Sequence, residues 1–180
     1  MTHAVAIREA GPGDAESIAA IHVASWQATY RGSIPDSYLD SLAIGQRLPM
    51  WDRILASSST LIGVWVAAID DEIVGFCSVG PPQSQADEPG DSLVLHTIYI
   101  KPSHERRGIG GGLLRHAEHQ MRRMGATTAI LWVLGENRGA RRFYEASGWT
   151  DDGVEKLDEI GDQAVREVRY SKQLAVNTSS

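Results

Sequence analysis

The sequence contains few of the residues that mark several common classes of protein. Cys77 is the one cysteine in 180 residues, so no disulfide framework or thiolate metal cage can form within a single chain. Basic residues number 17 against 23 acidic ones, and a net charge of −6 argues against a nucleic-acid surface, which needs clustered Lys and Arg. No apolar run approaches membrane-spanning length, and the first residues lack the pattern of a secretory signal. A cytoplasmic protein with no nucleic-acid or membrane partner is the default expectation.

The residues that are present favour an ordinary folded core. A chain of 180 residues with 42% hydrophobic residues is large enough to bury one. We expect a single domain over residues 1–175 and a disordered tail over residues 176–180. Whether the chain forms a homodimer is left open. The chain has five Trp residues, and because Trp is costly to expose without a role in packing or binding, some are expected in the core and some at a pocket.

Hydrophobic periodicity and turn residues predict an α/β chain. A short strand at residues 4–8 precedes a helix that Asp14 is expected to cap. Residues 61–69 and 73–79 are rich in β-branched and aromatic residues and predict a hairpin. Strand, turn, helix and strand then follow one another over residues 93–134. Because such a crossover joins parallel strands, its two strands should be parallel neighbours in a mixed sheet.

The stretch from Leu93 to Leu114, LVLHTIYIKPSHERRGIGGGLL, organises the rest of the chain. It begins as a β-branched strand, breaks at Lys101-Pro102 and ends in a glycine-rich turn that leads into a helix. Glycines allow a sharp turn that brings several N–H groups close to a phosphate, and the positive end of the helix dipole adds attraction. We therefore predict that this loop, with Arg106 and Arg107, holds the pyrophosphate of a cofactor.

Two common phosphate-binding motifs can be compared with this loop. A dinucleotide site requires G-x-G-x-x-G, but Leu113 occupies the last glycine position. A nucleoside-triphosphate loop requires Gly-Lys-Ser/Thr, which does not occur here. Both motifs fit poorly, and the sequence of the loop alone does not identify the cofactor.

A second motif, at Asn137–Trp149, narrows the choice. It reads NRGARRFYEASGW. Together the two stretches resemble the GNAT superfamily of acyl-CoA N-acyltransferases, which shows R/Q-x-x-G-x-G/A after a central strand and N-x-x-A-x-x-F-Y-x-x-x-G-F/W about thirty residues later. One position departs from this pattern, because Glu105 stands where the family has Arg or Gln.

The resemblance implies an α/β (α+β) GNAT fold, in which helices flank a mixed, mostly antiparallel sheet with one splayed parallel pair. It also implies direct transfer of an acetyl group from acetyl-CoA to a primary amine of a small molecule or peptide, without a metal. CoA is then expected at the central strand, at the loop and at the start of the second motif, namely Ile98, Ile100, Arg106, Arg107, Gly108, Ile109, Gly110, Gly111 and Asn137. The alternative is a catalytically inactive CoA-binding sensor or scaffold, which Glu105 favours.

The same resemblance assigns Tyr144 as the general acid, since a phenol is protonated at neutral pH and can protonate a departing thiolate. Many members carry a Glu base on the central strand, at a position that matches Val94 here. His96 lies two residues further, on the same face by simple alternation, and its ordinary pKa suits a base. A water-mediated relay and His22 remain alternatives for this role.

Aromatic residues of the early helices and the hairpin are candidates for the acceptor pocket. Trp26, Tyr30 and His22 are the residues we predict to line it, with Trp51 and Trp65 as further candidates. His116 and His119 have a spacing that metal ligands can show, but the charged residues around them indicate a solvated helix face. No metal site is predicted.

Overall fold

The structure is a computed structural model that describes residues 4–56, 63–83 and 90–174. Its strands are β1 (Ala6–Glu9), β2 (Gly63–Ile69), β3 (Glu72–Gly80), β4 (Ser92–Ile100), β5 (Thr128–Leu134), β6 (Thr150–Ile160) and β7 (Gln163–Gln173). Its α-helices are α1 (Ala15–Thr29), α2 (Asp36–Ser41), α3 (Ile44–Ala56), α4 (Ile109–Arg123) and α5 (Arg138–Ala146). Residues 61–62 of the predicted hairpin and the tail predicted at 176–180 lie outside the described residues.

All seven strands form one sheet in the order β1-β2-β3-β4-β5-β7-β6. Every neighbouring pair is antiparallel except β4 and β5, which run parallel. This confirms both the mixed sheet and the parallel crossover that the sequence predicted. The parallel pairing covers only Ser92–Val94 against Thr128–Ile130. Beyond Val94 the two strands have no paired residues, so the sheet is open at its centre.

A β-bulge at His96 changes the face on which the later residues of β4 lie. Val79 of β3 pairs with Leu95, and the preceding residue, Ser78, pairs with Thr97, so His96 is left without a partner in the ladder. Such an extra residue reverses the alternation of every side chain after it. Tyr99 therefore lies on the opposite face from the one that uninterrupted alternation would give it.

The two faces of the sheet carry separate clusters of buried side chains. On one face α4 and α5 cover the sheet, with Leu113, Met121 and Tyr144 among the packed residues. On the other face α1 and α3 pack against β2 and β3 through a cluster that includes Ile18 and Trp51. The open centre of the sheet is thus enclosed by helices on both sides.

Local residues set the chain direction at the turn between β2 and β3. Asp70 and Asp71 both have positive φ, 46° and 68°, in the tight turn between β2 and β3, and Asp tolerates this conformation better than most residues.

The expected cap at Asp14 is wrong in detail, because its carboxylate makes no side-chain cap to α1. It instead accepts two hydrogen bonds from Arg8, at 2.7 and 2.9 Å.

In the described part of the chain, no helix is long and apolar enough to cross a membrane.

Candidate active site

A cavity of about 1060 Å³ lies where β4 and β5 diverge. Its walls come from α1, α3, β4, β5, α5, the β6–β7 hairpin and the glycine-rich loop. The cavity brings together most of the residues predicted for the site: His22, Trp26, Tyr30, His96, Ile98, Ile100, Arg106, Gly108, Gly110, Gly111, Asn137 and Tyr144. Two predicted residues, Arg107 and Ile109, do not line it; Arg107 is exposed, and the Ile109 side chain is buried in the core beneath α4.

The glycine-rich loop has the backbone geometry of an anion site. Arg106 and Gly108 have φ of 58° and 79°, which turns the chain sharply into α4. No side chain caps the helix start, and the first intrahelical donor is the Gly112 N–H, which bonds the Gly108 carbonyl at 3.1 Å. The N–H groups before it remain available, as at any helix start. A loop of this form fits a pyrophosphate.

The side of the loop facing α5 packs next to Phe143 and Ile100. A Cβ added at Gly110 would lie 3.5 Å from the Phe143 ring and 3.8 Å from Ile100. The loop therefore packs on the same face of β4 as Ile100, which is also the α4 face of the sheet. This places the candidate pyrophosphate site on that face.

Tyr144 lies in an aromatic cluster at the floor of the cavity. Its ring contacts Phe143, Trp149 and Tyr170 at centroid distances of 5.2 to 6.2 Å. Its hydroxyl makes no hydrogen bond to another described residue, although the side chain lines the cavity. Burial, and secondarily the proximity of Tyr99, raises the pKa of the phenol. The group therefore keeps its proton through the neutral and alkaline range.

The helix that carries Tyr144 is fixed at three points. Asn137 caps α5 by accepting the Ala140 N–H at 3.0 Å, as its position in the motif suggested. Arg141 donates to the Tyr170 hydroxyl at 3.0 Å, and that hydroxyl donates to Glu145 at 2.6 Å. Because Arg141 lies one turn before Tyr144 and Glu145 directly follows it, these contacts hold the Tyr144 backbone in place.

His96 lines the cavity and has a defined orientation. Its Nε2 lies 3.1 Å from the Pro81 carbonyl oxygen, which can only accept, so Nε2 carries the proton and donates. In the neutral ring the lone pair is then on Nδ1. Burial is the main cause of a lowered pKa for this ring, and Lys156 lowers it further, while the bond to Pro81 acts in the opposite direction. His96 is therefore neutral at pH 7.

His22 also lines the cavity, but its lone pair is already used. The Trp51 indole N–H donates to His22 Nδ1 at 3.2 Å, and the ring stacks on Tyr99 at 5.3 Å. Burial, with a smaller contribution from the charge of Arg47, lowers the pKa of His22 to about 4. The ring is therefore neutral with its proton on Nε2, and it can donate a hydrogen bond but is a poor base.

The other tryptophan candidates have different positions. Trp51 lies behind His22 and is almost fully buried, so it supports the wall without forming it. Trp65 packs in the α4 core, where its ring meets His116 at 5.4 Å. Within residues 4–56, 63–83 and 90–174, no group of three His, Cys, Asp or Glu side chains is arranged to hold a metal ion.

The sequence argument missed several cavity residues, among them Tyr99, Glu167 and Arg47. Tyr99 is half-buried in the cavity wall and accepts the Trp26 indole N–H at 3.0 Å. The β-bulge turns it toward α1, and no sequence pattern predicted that bulge. Glu167 of β7 reaches the cavity and pairs with Lys156 at 3.1 Å. Arg47 enters from α3, in a segment whose sequence carries no motif.

Comparison with known proteins decides the family. The model of the acetyltransferase (GNAT) family matches residues 21–149. This match covers more than half of the chain and includes both the glycine-rich loop and the Asn137–Trp149 motif. The chain belongs to the GNAT acetyltransferase family.

Relatives of this GNAT chain are N-acetyltransferases. An uncharacterized N-acetyltransferase of Bacillus subtilis, YuaI, is 34% identical over 143 residues, which are 79% of this chain and 78% of the relative. A spermidine N(1)-acetyltransferase of Thermoplasma acidophilum is 26% identical over 87% of this chain and 94% of its own. The solved structure of yncA, a putative acetyltransferase from Salmonella typhimurium with its cofactor acetyl-CoA, shares the fold with a TM-score of 0.71 at 18% identity, over 98% of each chain. The GNAT chain described here is accordingly an acyltransferase.

Proposed function

We propose that this GNAT protein transfers an acetyl group from acetyl-CoA directly to a primary amine of a small molecule or peptide. One observation carries the proposal: a single cavity is lined by the glycine-rich anion loop and by two candidate proton-transfer groups, Tyr144 and His96. Acetyl-CoA supplies the acetyl group as a thioester, and the amine displaces CoA as a thiol. Every other step requires binding or proton transfer by residues of the chain.

Tyr144 is proposed as the general acid. Its raised pKa keeps the phenol protonated, and its hydroxyl has no competing partner among the described residues. The phenol can therefore give its proton to the sulfur when the carbon–sulfur bond breaks. Burial also removes water that would otherwise compete for this proton.

His96 is proposed as the general base. The bond from Nε2 to Pro81 leaves the Nδ1 lone pair for the proton of the incoming amine, directly or through a water. The lowered pKa makes the ring a weak base but keeps it neutral at pH 7. His22 fits this role less well, because the Trp51 indole N–H already occupies its lone pair.

The residues fit CoA at the loop and along β4. The N–H groups at the start of α4 and the side chain of Arg106 would hold the pyrophosphate. Ile98 and Ile100 lie beyond the last paired residues of β4 and β5, so their backbone groups on the β5 side have no strand partner. The Ile100 carbonyl accepts the Ser25 hydroxyl at 2.9 Å, which leaves the Ile98 backbone and the Ile100 N–H for CoA. Asn137 uses its side-chain oxygen to cap α5, and its amide N–H₂ remains as a donor at the cavity.

A direct mechanism, with no acetylated enzyme, agrees with the position of Cys77. Its thiol is buried in the core, where it donates to the Leu113 carbonyl, and burial raises its pKa to about 12. Such a thiol offers no thiolate to accept an acetyl group at neutral pH.

Release of the CoA thiol from acetyl-CoA across a panel of primary amines tests the proposal. We expect at least one amine to accelerate release well above the buffer rate and to yield the N-acetyl product by mass spectrometry. Thermal stabilisation by CoA, without turnover of any amine, would instead support the inactive CoA-binding protein. Loss of both signals would contradict the cofactor assignment itself.

A further inference from the structure

Arg47 contributes a positive charge to the cavity that the proposed mechanism does not use. It lies on α3, and its guanidinium carbon is 5.9 Å from the centroid of the Trp26 ring. Its Nε is buried and has no hydrogen-bond acceptor. No carboxylate in the described part of the chain forms an ion pair with it. A buried donor without an acceptor is unfavourable, so a partner from outside the chain is expected.

The residues around Arg47 indicate that its external partner is an anion. His22 is neutral and has only an N–H left to offer, since Trp51 occupies Nδ1. The Trp26 indole N–H is used by Tyr99, so it does not compete for a ligand. The positive charge of Arg47 lowers the pKa of His22, and it acts in the same direction on Tyr99. This end of the cavity therefore presents one cation and a neutral donor.

The acidic residues of the lining do not neutralise Arg47. Glu167 is paired with Lys156 at 3.1 Å. Asp158 and Glu159 are exposed on β6, and Asp158 accepts the Glu159 backbone N–H at 2.8 Å. Glu105 belongs to the glycine-rich loop. Burial is the main cause of the raised pKa of Tyr30 and Tyr99, and the charge of Glu167 also reaches both phenols and raises it further. The pairing of Glu167 with Lys156 is therefore what leaves Arg47 without an ion-pair partner among the described residues.

Arg47 is also separate from the candidate pyrophosphate site. The loop packs through Gly110 against Phe143 and Ile100 on the α4 face of β4. Arg47 lies with Trp26 and His22 on the α1 face, where the bulge directs Tyr99. A CoA phosphate on the loop would therefore leave Arg47 available to a second ligand.

We propose that the acetyl acceptor is an amino acid, a primary amine that also carries a carboxylate, and that Arg47 binds this carboxylate while His22 donates a further hydrogen bond. The inference rests on the proposed acetyl transfer and specifies its acceptor. A guanidinium matches a carboxylate with two parallel N–H donors, which fixes the orientation of the ligand as well as adding affinity. Binding the carboxylate on the α1 face directs the amine toward the open centre of the sheet.

Acceptors that differ only in the carboxylate test directly whether that group contributes to recognition. Each amino acid is compared with its carboxamide and its decarboxylated amine at saturating acetyl-CoA, and spermidine serves as a polycationic acceptor. Because the three amines differ in basicity, kcat/KM is expressed per neutral amine. We expect the best amino acid to exceed its carboxamide by on the order of tenfold to a hundredfold, the range for a hydrogen-bonded charge.

Variants of Arg47 test whether this residue binds the carboxylate of the acceptor. In Arg47→Gln, the ratio of kcat/KM for the amino acid to that for its carboxamide should fall to about one, chiefly because the KM for the amino acid rises. The KM for acetyl-CoA should stay within about twofold of the wild-type value. Arg47→Lys keeps the positive charge but lacks the two parallel N–H donors of the guanidinium, so it should keep part of the preference for the amino acid over its carboxamide. Circular dichroism checks folding, and the wild-type comparison stands even if a variant fails to fold.

The outcomes separate this inference from the proposed function. If no primary amine of any kind is acetylated, the proposed function fails. If carboxamides, decarboxylated amines or spermidine match or exceed the amino acids in the wild type, the acceptor assignment is wrong and acetyl transfer stands. An unchanged preference in folded Arg47→Gln, or a large rise in its KM for acetyl-CoA, would remove Arg47 from the acceptor site.

Discussion

Replacing Tyr144 with Phe isolates the proposed proton donor, because the change removes one oxygen and leaves the buried ring. The hydroxyl makes no hydrogen bond to another described residue, so no internal bond is lost and the aromatic contacts remain. We expect the free energy of unfolding to change by less than about 1 kcal/mol. We expect kcat to fall by roughly a hundredfold to ten-thousandfold, the usual contribution of a general acid.

Tyr170→Phe is the matched control. The Tyr170 hydroxyl accepts from Arg141 and donates to Glu145, so its removal breaks two hydrogen bonds and should cost about 1–3 kcal/mol of stability. Its hydroxyl is engaged within the protein, so kcat should fall far less than in Tyr144→Phe. The two tyrosines are thus expected to show opposite signatures, one in rate and the other in stability.

Steady-state CoA release, single-turnover measurements and urea unfolding provide the three readouts. In the wild type, the raised pKa of Tyr144 predicts no loss of kcat from this group below about pH 10. A fall in kcat of less than threefold in Tyr144→Phe would refute the assignment as acid. A rise in the KM for acetyl-CoA with kcat unchanged would show that the phenol only binds the cofactor.

Three further predictions follow from other parts of the structure. Gly108→Ala and Gly125→Ala each place a side chain at positive φ, 79° and 86°, and should cost about 1 kcal/mol of stability; only Gly108→Ala should also raise the KM for acetyl-CoA, and equal KM values would contradict the loop assignment. The pKa of His22 is about 4 when folded against 6.5 when free, so the unfolded state binds more protons in that range and roughly 3 kcal/mol of stability should be lost as the pH falls through it; urea unfolding of His22→Gln should show a shallower pH dependence, whereas exposed His119→Gln should match the wild type. Glu118 accepts from Trp149 and Lys172 at 2.9 Å, so Glu118→Ala should lower the free energy of unfolding by about 3 kcal/mol or more, and a loss below 1 kcal/mol would show that the cluster contributes little.

The elements that local patterns specify were predictable from the sequence. The two motifs contain the turn, cap and helix-start residues of α4 and α5, and the structure confirms both helices and the parallel strands around the first. The Asn137 cap is local, formed with a residue three positions on. Such interactions are visible in sequence because their partners are neighbours in the chain.

The residues that the sequence did not reveal depend on distant partners. Arg47 reaches the cavity because α3 packs against α1, and no spacing within α3 records that contact. Glu167 alternates along an ordinary strand whose neighbours are set by the sheet order. Asp14 was expected to cap a helix and instead meets Arg8, because a charged partner was brought close by β1. Packing between elements that are distant in the chain decided the first two positions, and the third was decided by an ion pair between β1 and the start of α1, six residues apart.

The unpaired residue in β4 makes the chemistry of the cavity depend on the number of residues before it. Deleting His96 would restore strict alternation and exchange the faces of the strand's last residues. The Tyr99 phenol would then face α4, and Ile98 and Ile100 would face α1 in its place. The sheet could keep its strand order while the α1 wall lost its hydroxyl and gained hydrocarbon. The length of this one strand, and not only its composition, therefore determines which ligand each half of the cavity can hold.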